Sequence, residues 1–199
     1  MTEILVFRWI TLIAWFAFMI FYFRGGSALF ADIHTSVSTT GSYDSTLLLM
    51  LMAIVCLALL PGQLMACLGY SRALGWAEQR LVVGAGMMLC FTGIIAACWV
   101  RFCFLRQFWA GSVKKHASQQ IIEQGPYRIV RHPLYAIFLL IYAGIALASG
   151  TWSNLLACGL LMTGYIFLTA YEDEFLAENL SGYKAYQQRT RYRLVPGVW

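Results

Sequence analysis

The run Pro133–Ala170, PLYAIFLLIYAGIALASGTWSNLLACGLLMTGYIFLTA, holds 38 residues without one Asp, Glu, Lys or Arg. A membrane span needs about 20 apolar residues, so this run is too long for one crossing. Ser149-Gly150-Thr151-Trp152-Ser153-Asn154 divides it, with the small and polar side chains that end helices. The reading is a tight helical hairpin, Leu134–Ala148 and Leu155–Ala170. Each arm is about 22–24 Å long at the helical rise of ~1.5 Å per residue, and the tip stops short of the far surface.

Working outward, three more stretches read as spans. Ile4–Phe23 is apolar apart from Arg8, and Thr46–Ser71 and Leu81–Val100 carry no charge. The chain is 60% hydrophobic and 12% charged, with mean hydropathy +0.68, against about 25% charged in soluble domains. The fold class that follows is an all-α integral membrane protein of five transmembrane helices. A cytoplasmic amphipathic tail helix is expected after the hairpin, because Leu176, Leu180, Tyr183 and Tyr186 share one helical face, with a break at Ser181-Gly182. The first segment is read as a span because it is longer than the apolar core of a cleaved signal. The chain is treated as a single membrane domain: residues 1–100 as a three-helix scaffold, residues 101–199 as the part that carries chemistry. Gly25–Ser45 is read as a solvated loop.

Lys and Arg set the orientation. With the 101–133 loop inside, 11 of the 14 basic residues face the cytoplasm and only Arg8, Arg72 and Arg80 face out. The N-terminus is therefore expected outside, and the 101–133 loop and the C-terminal tail in the cytoplasm. The net charge of +5 is mostly this topology signal; no soluble basic face suggests nucleic acid. The six cysteines lie in or beside apolar segments without metal-ligand spacing and read as small buried hydrophobes.

Two charged clusters bracket the hairpin. Before it stands Gly125-Pro126-Tyr127-Arg128-Ile129-Val130-Arg131-His132-Pro133-Leu134-Tyr135; after it comes Glu172-Asp173-Glu174. Charge at the mouth of a membrane hairpin is costly and often functional. Pro133 suits the first position of a helix, and the N-terminus it would open attracts anions. The acids end an apolar helix, where the macrodipole disfavours them, so something cationic must answer them. Arg128, Arg131 and the tail arginines are one answer and a cationic ligand is another.

Together with Tyr183-x-x-Tyr186 and Arg193-Leu194-Val195-Pro196, these motifs resemble the isoprenylcysteine carboxyl methyltransferase family, which belongs with the phospholipid methyltransferases. The resemblance covers about residues 105–199. It implies an enzyme that uses S-adenosylmethionine at the cytoplasmic membrane face, with a lipophilic methyl acceptor entering from the bilayer. It implies a cofactor-binding set of Gln124, Gly125, Tyr127, Arg131, His132, Pro133, Tyr135, Glu172 and Glu174, and a catalytic set of Glu172, Arg131 and Arg193. Asp173 stands where a second Glu is usual, and Ile137 where a Gly is usual. The implied reaction is carboxyl O-methylation of an isoprenylcysteine-like substrate, with a phospholipid or small amine as the alternative acceptor. An amine or thiol would also have to lose a proton, to Glu174, Asp173 or His132. Two further readings compete: a membrane reductase using NADPH, and a non-catalytic membrane protein whose charges are topology anchors.

Overall fold

The computed structural model describes residues 2–37, 45–70, 76–112, 121 and 123–199. The regular structure among the described residues is helical: α1 Thr2–Val37, α2 Ser45–Cys67, α3 Trp76–Ser112, a 3₁₀ turn Gly125–Arg128, α4 Pro133–Ser149, α5 Trp152–Asn179 and α6 Tyr183–Arg189. Thr2–Phe21, Arg80–Cys103 and Trp152–Asn179 are each long and apolar enough to cross a membrane, while Leu57–Cys67 and Pro133–Ser149 are shorter apolar helices. An exposed stripe of Trp152, Leu156, Leu160, Phe167 and Tyr171 runs along α5. In water such a stripe would be an aggregation surface; against lipid it is at home.

The helices fall into two compact units, Met1–Ile94 with Leu140–Leu161, and Ile95–Leu139 with Met162–Trp199. In the first unit Trp15, Phe18, Leu59, Val83, Cys90 and Ile145 are buried. α3 and α4 touch backbone to backbone there. A Cβ on Gly86 would run into Leu147 and Ala148, and one on Gly144 would lie 2.5 Å from the Cys90 nitrogen. Small residues let membrane helices approach this closely, where van der Waals contact replaces the missing hydrophobic drive. Arg8 is buried on α1, and its Nη1 donates to the Ala66 carbonyl at 2.9 Å. It thereby adds a second donor to a carbonyl in the last turn of α2, which also accepts from the Gly69 amide at 3.2 Å.

The hairpin forms where the sequence places it, with a tighter tip. Gly150 turns at φ +62°, a conformation that costs a side-chain-bearing residue energy. Thr151 then opens α5, its Oγ1 accepting from the Asn154 amide at 3.4 Å, as an N-cap does.

Five expectations change. The loop expected over Gly25–Ser45 is helical through Val37, and residues 38–44 lie outside the described residues. α3 does not stop at Val100 but continues to Ser112, into the stretch read as a cytoplasmic loop; residues 113–120 and 122 lie outside the described residues. α5 does not end near Ala170. It runs on to Asn179 and carries Glu172, Asp173 and Glu174 in its last turns, because cationic side chains described below offset the acids the macrodipole opposes. The expected tail helix is therefore split: Leu176 belongs to α5, Leu180 falls in the break just after it, and Tyr183 and Tyr186 are buried from the short α6. Of the cysteines, Cys67, Cys90 and Cys158 are buried as expected, but Cys98 is exposed, on a flank of α3 that also shows Ile95, Trp99 and Phe102 outward.

Candidate active site around Asp173

The second unit places three chain segments around one carboxylate. Asp173, in the C-terminal half of α5, is completely buried. Arg131 meets it side-on, Nε to Oδ1 and Nη2 to Oδ2, both at 2.7 Å. Arg193 Nε donates to Oδ2 at 2.9 Å and Tyr183 Oη to Oδ1 at 2.9 Å. Gln187 Nε2 reaches Oδ2 at 3.2 Å, and His132 Nε2 lies 3.3 Å from Oδ1. A carboxylate has about four lone-pair sites, so five side chains leave it no capacity for a ligand.

Arg131 is equally committed. Its Nη1 donates to the carbonyls of Thr190 at 2.7 Å and Arg191 at 2.8 Å. The Arg131 and His132 amides donate to the carbonyls of Tyr192 and Arg193, each at 2.9 Å. The segment before α4 and the segment after α6 are thus sewn together through main chain and guanidinium. Burial alone would lower the Arg131 pKa, but the hydrogen bonds and charge of Asp173 outweigh it and raise it. A planar fork aimed at a carboxylate is the geometry for which Arg is favoured over Lys.

Glu172 is one residue earlier on the same helix and behaves differently. Its Oε2 is buried with no hydrogen-bond partner, 3.6 Å from His132 Nδ1. The Tyr135 side chain also bonds to Glu172. The rings of His132 and Tyr135 lie parallel, centroids 5.8 Å apart. Burial pushes the Tyr127 phenol up to about 12, with the charge of Glu172 and nearby Cys103 adding to it. That phenol is therefore a neutral donor at physiological pH.

The remaining residues singled out from the sequence fall on both sides of this cluster. Pro133 is buried and opens α4. Gly125 has φ +62°, and a Cβ there would lie 3.1 Å from Cys103 Sγ. The Tyr127 carbonyl accepts from Tyr186 Oη at 2.7 Å, which anchors the 3₁₀ turn. Gln124 precedes that turn, exposed, without a side-chain cap. Glu174 is exposed and is not brought to His132. Arg193 stacks its guanidinium 5.0 Å from the Trp199 ring centroid. The sequence reading set Tyr183 on a packed helical stripe but not in the site, gave no part to Gln187 and Thr190, and did not see that Asp173 would be the hub. The one local hint was the buried stripe that pairs Tyr183 with Tyr186.

A family model described as phospholipid methyltransferase matches residues 81–182. Among curated proteins, none matches the chain significantly.

Proposed function

Because the chain belongs to the phospholipid methyltransferase family, we propose that it transfers a methyl group from S-adenosylmethionine to a lipophilic acceptor that reaches the site from the bilayer. The observation that carries this reading is Glu172 Oε2, a buried carboxylate oxygen with no hydrogen-bond partner beside His132. Unmet acceptors of this kind are costly and suit a cationic ligand. When bound, S-adenosylmethionine would supply a transferable methyl on a sulfonium. Glu172 would face its positive charge, Tyr127 and Tyr135 would offer aromatic faces, and Tyr127 would offer a hydroxyl donor. The chain's part in the reaction is positioning and exclusion of water.

The acceptor expected from the sequence is an isoprenylcysteine-like carboxylate. The geometry favours an amine. Arg131 and Arg193, the cations that would greet a carboxylate, both lie on Asp173. The group left open is itself a carboxylate. A lipid amine would be drawn to Glu172, and its proton could pass to the Glu172–His132 pair. The five-span topology, the outside N-terminus and the cytoplasmic site complete the proposal; the helices from Thr2, Arg80 and Trp152 support membrane insertion.

The test is calorimetry on the full chain in nanodiscs. S-adenosylhomocysteine should bind, and Glu172→Gln should weaken it. Incubation with labelled methyl donor and membrane lipid extract then identifies the acceptor. An absence of binding in nanodiscs and in every detergent tried would overturn the reading.

A further inference from the structure

His132 sits between two carboxylates, and the hydrogen bonds decide which ring nitrogen holds its proton. On one side Nε2 faces Asp173 Oδ1 at 3.3 Å and Tyr183 Oη at 3.5 Å. Asp173, bonded by two arginines, can only accept. Tyr183 directs its own proton to the same Oδ1 at the shorter distance of 2.9 Å, so it turns a lone pair toward the ring. Burial, followed by Asp173, raises the Tyr183 pKa, which keeps that proton in place. Both neighbours therefore require N–H at Nε2.

The consequence lies on the other side. A neutral ring protonated at Nε2 presents a lone pair at Nδ1, and Nδ1 faces Glu172 Oε2 across 3.6 Å. That oxygen has no hydrogen-bond partner. Two acceptors confront each other across a gap that a proton or a cationic donor would fill. Such orientation of an imidazole by an acid behind it is how a general base is made ready.

We propose that Asp173 is a positioning residue which, with Tyr183, holds His132 in its Nε2–H tautomer, so that His132 Nδ1 and Glu172 Oε2 act as one proton-accepting pair. The inference rests on the methyltransferase reading for its use, but not for its test. With an ammonium acceptor the balance is simple. One N–H bond breaks and its proton goes to Nδ1. The freed nitrogen pair forms a bond to the donor's methyl carbon, and the C–S electrons leave with sulfur. A carboxylate acceptor has no proton to give and leaves the pair idle. The charged and titratable groups around the pair are Tyr127 from the 3₁₀ turn, Arg131 before α4, Tyr135 on α4, Asp173 on α5, Tyr183 on α6 and Arg193 in the tail.

The experiment is ¹⁵N-histidine NMR on the full chain in nanodiscs, with His132→Gln used to assign the signal. His132 is expected as the neutral Nε2–H tautomer. Asp173→Asn should abolish that pattern and lower turnover on the order of 10²-fold, and Asp173→Glu should restore the pattern. If Asp173→Asn does not fold, Tyr183→Phe replaces it: the Nε2–H tautomer should persist on Asp173 Oδ1 alone, and its loss would overturn the role given to Asp173. An Nδ1–H tautomer or a full imidazolium in the unmodified protein at neutral pH would overturn the proposal, as would a pattern unmoved by Asp173→Asn. An Nε2–H signal in a protein that fails to bind S-adenosylhomocysteine would uphold the tautomer and overturn the methyltransferase reading.

Discussion

Arg131 and Asp173 meet through two parallel hydrogen bonds of 2.7 Å, 42 residues apart in sequence, with the carboxylate shut off from solvent. The pair joins the entrance of α4 to the last turns of α5, and through the second face of Arg131 to the carbonyls of Thr190 and Arg191. Its partners make it a structural joint that also orients the His132 ring.

Removing one member leaves the other charged and buried. Arg131→Ala and Asp173→Ala should each destabilise the protein by about 3–5 kcal/mol, read from unfolding in mild detergent. Arg131→Lys should rescue only in part, because an ammonium cannot make the two parallel bonds. Equal stability of Arg131→Lys and the unmodified protein would contradict the joint.

Glu172→Gln should behave in the opposite way. Oε2 has no hydrogen bond to lose, so stability should be unchanged or rise slightly. Affinity for S-adenosylhomocysteine should fall by ~10-fold or more, about 1.4 kcal/mol. Calorimetry and melting on the same sample separate the two effects.

Stability should also fall on the alkaline side. The folded state holds the Tyr127 proton up to about 12, whereas an unfolded chain releases it near pH 10. The contribution is therefore complete below pH ~10 and is lost as pH rises from there toward ~12. Burial raises Tyr183 and Tyr186 in the same sense. Unfolding midpoints measured across this window should decline, and Tyr127→Phe should flatten the slope.

The contact of α3 with α4 has no room for a methyl group. Gly86→Ala and Gly144→Ala push a Cβ into backbone, not into a yielding side chain. Each should cost about 1–3 kcal/mol and lower the melting temperature, while the binding constant of the surviving folded fraction stays the same. A neutral melt for both would mean that the helices are further apart.

Orientation has its own check. A cysteine placed at Arg191, which is exposed, should react with an impermeant thiol reagent only when the cytoplasmic side is opened. A tag at the N-terminus should be reached from outside without lysis. Labelling in the reverse pattern would invert the topology.

Much of the fold was legible in the residues. The uncharged run from Pro133 predicted a hairpin, and Gly150 lies at its turn. Pro133 marked the start of α4 to the residue. The length of α5 was not legible. Glu172-Asp173-Glu174 reads as the end of a greasy helix, since local rules put acids at a poor place there. Arg131 and Arg193 offset the cost, and neither is near in sequence. α3 beyond Val100 was missed for a similar reason: charged residues after an apolar span end the hydrophobic signal without ending the helix.

Composition and pattern, by themselves, established a helical membrane protein with its reactive groups flanking one hairpin, because apolar runs must leave water wherever the chain folds. Which of three adjacent acids does what was a matter for the tertiary structure. Successive helical residues point about 100° apart, so the rotation of α5 within its packing turns Asp173 to the arginines, Glu172 to His132 and Glu174 to the exterior. No property of the three side chains taken alone could have told them apart.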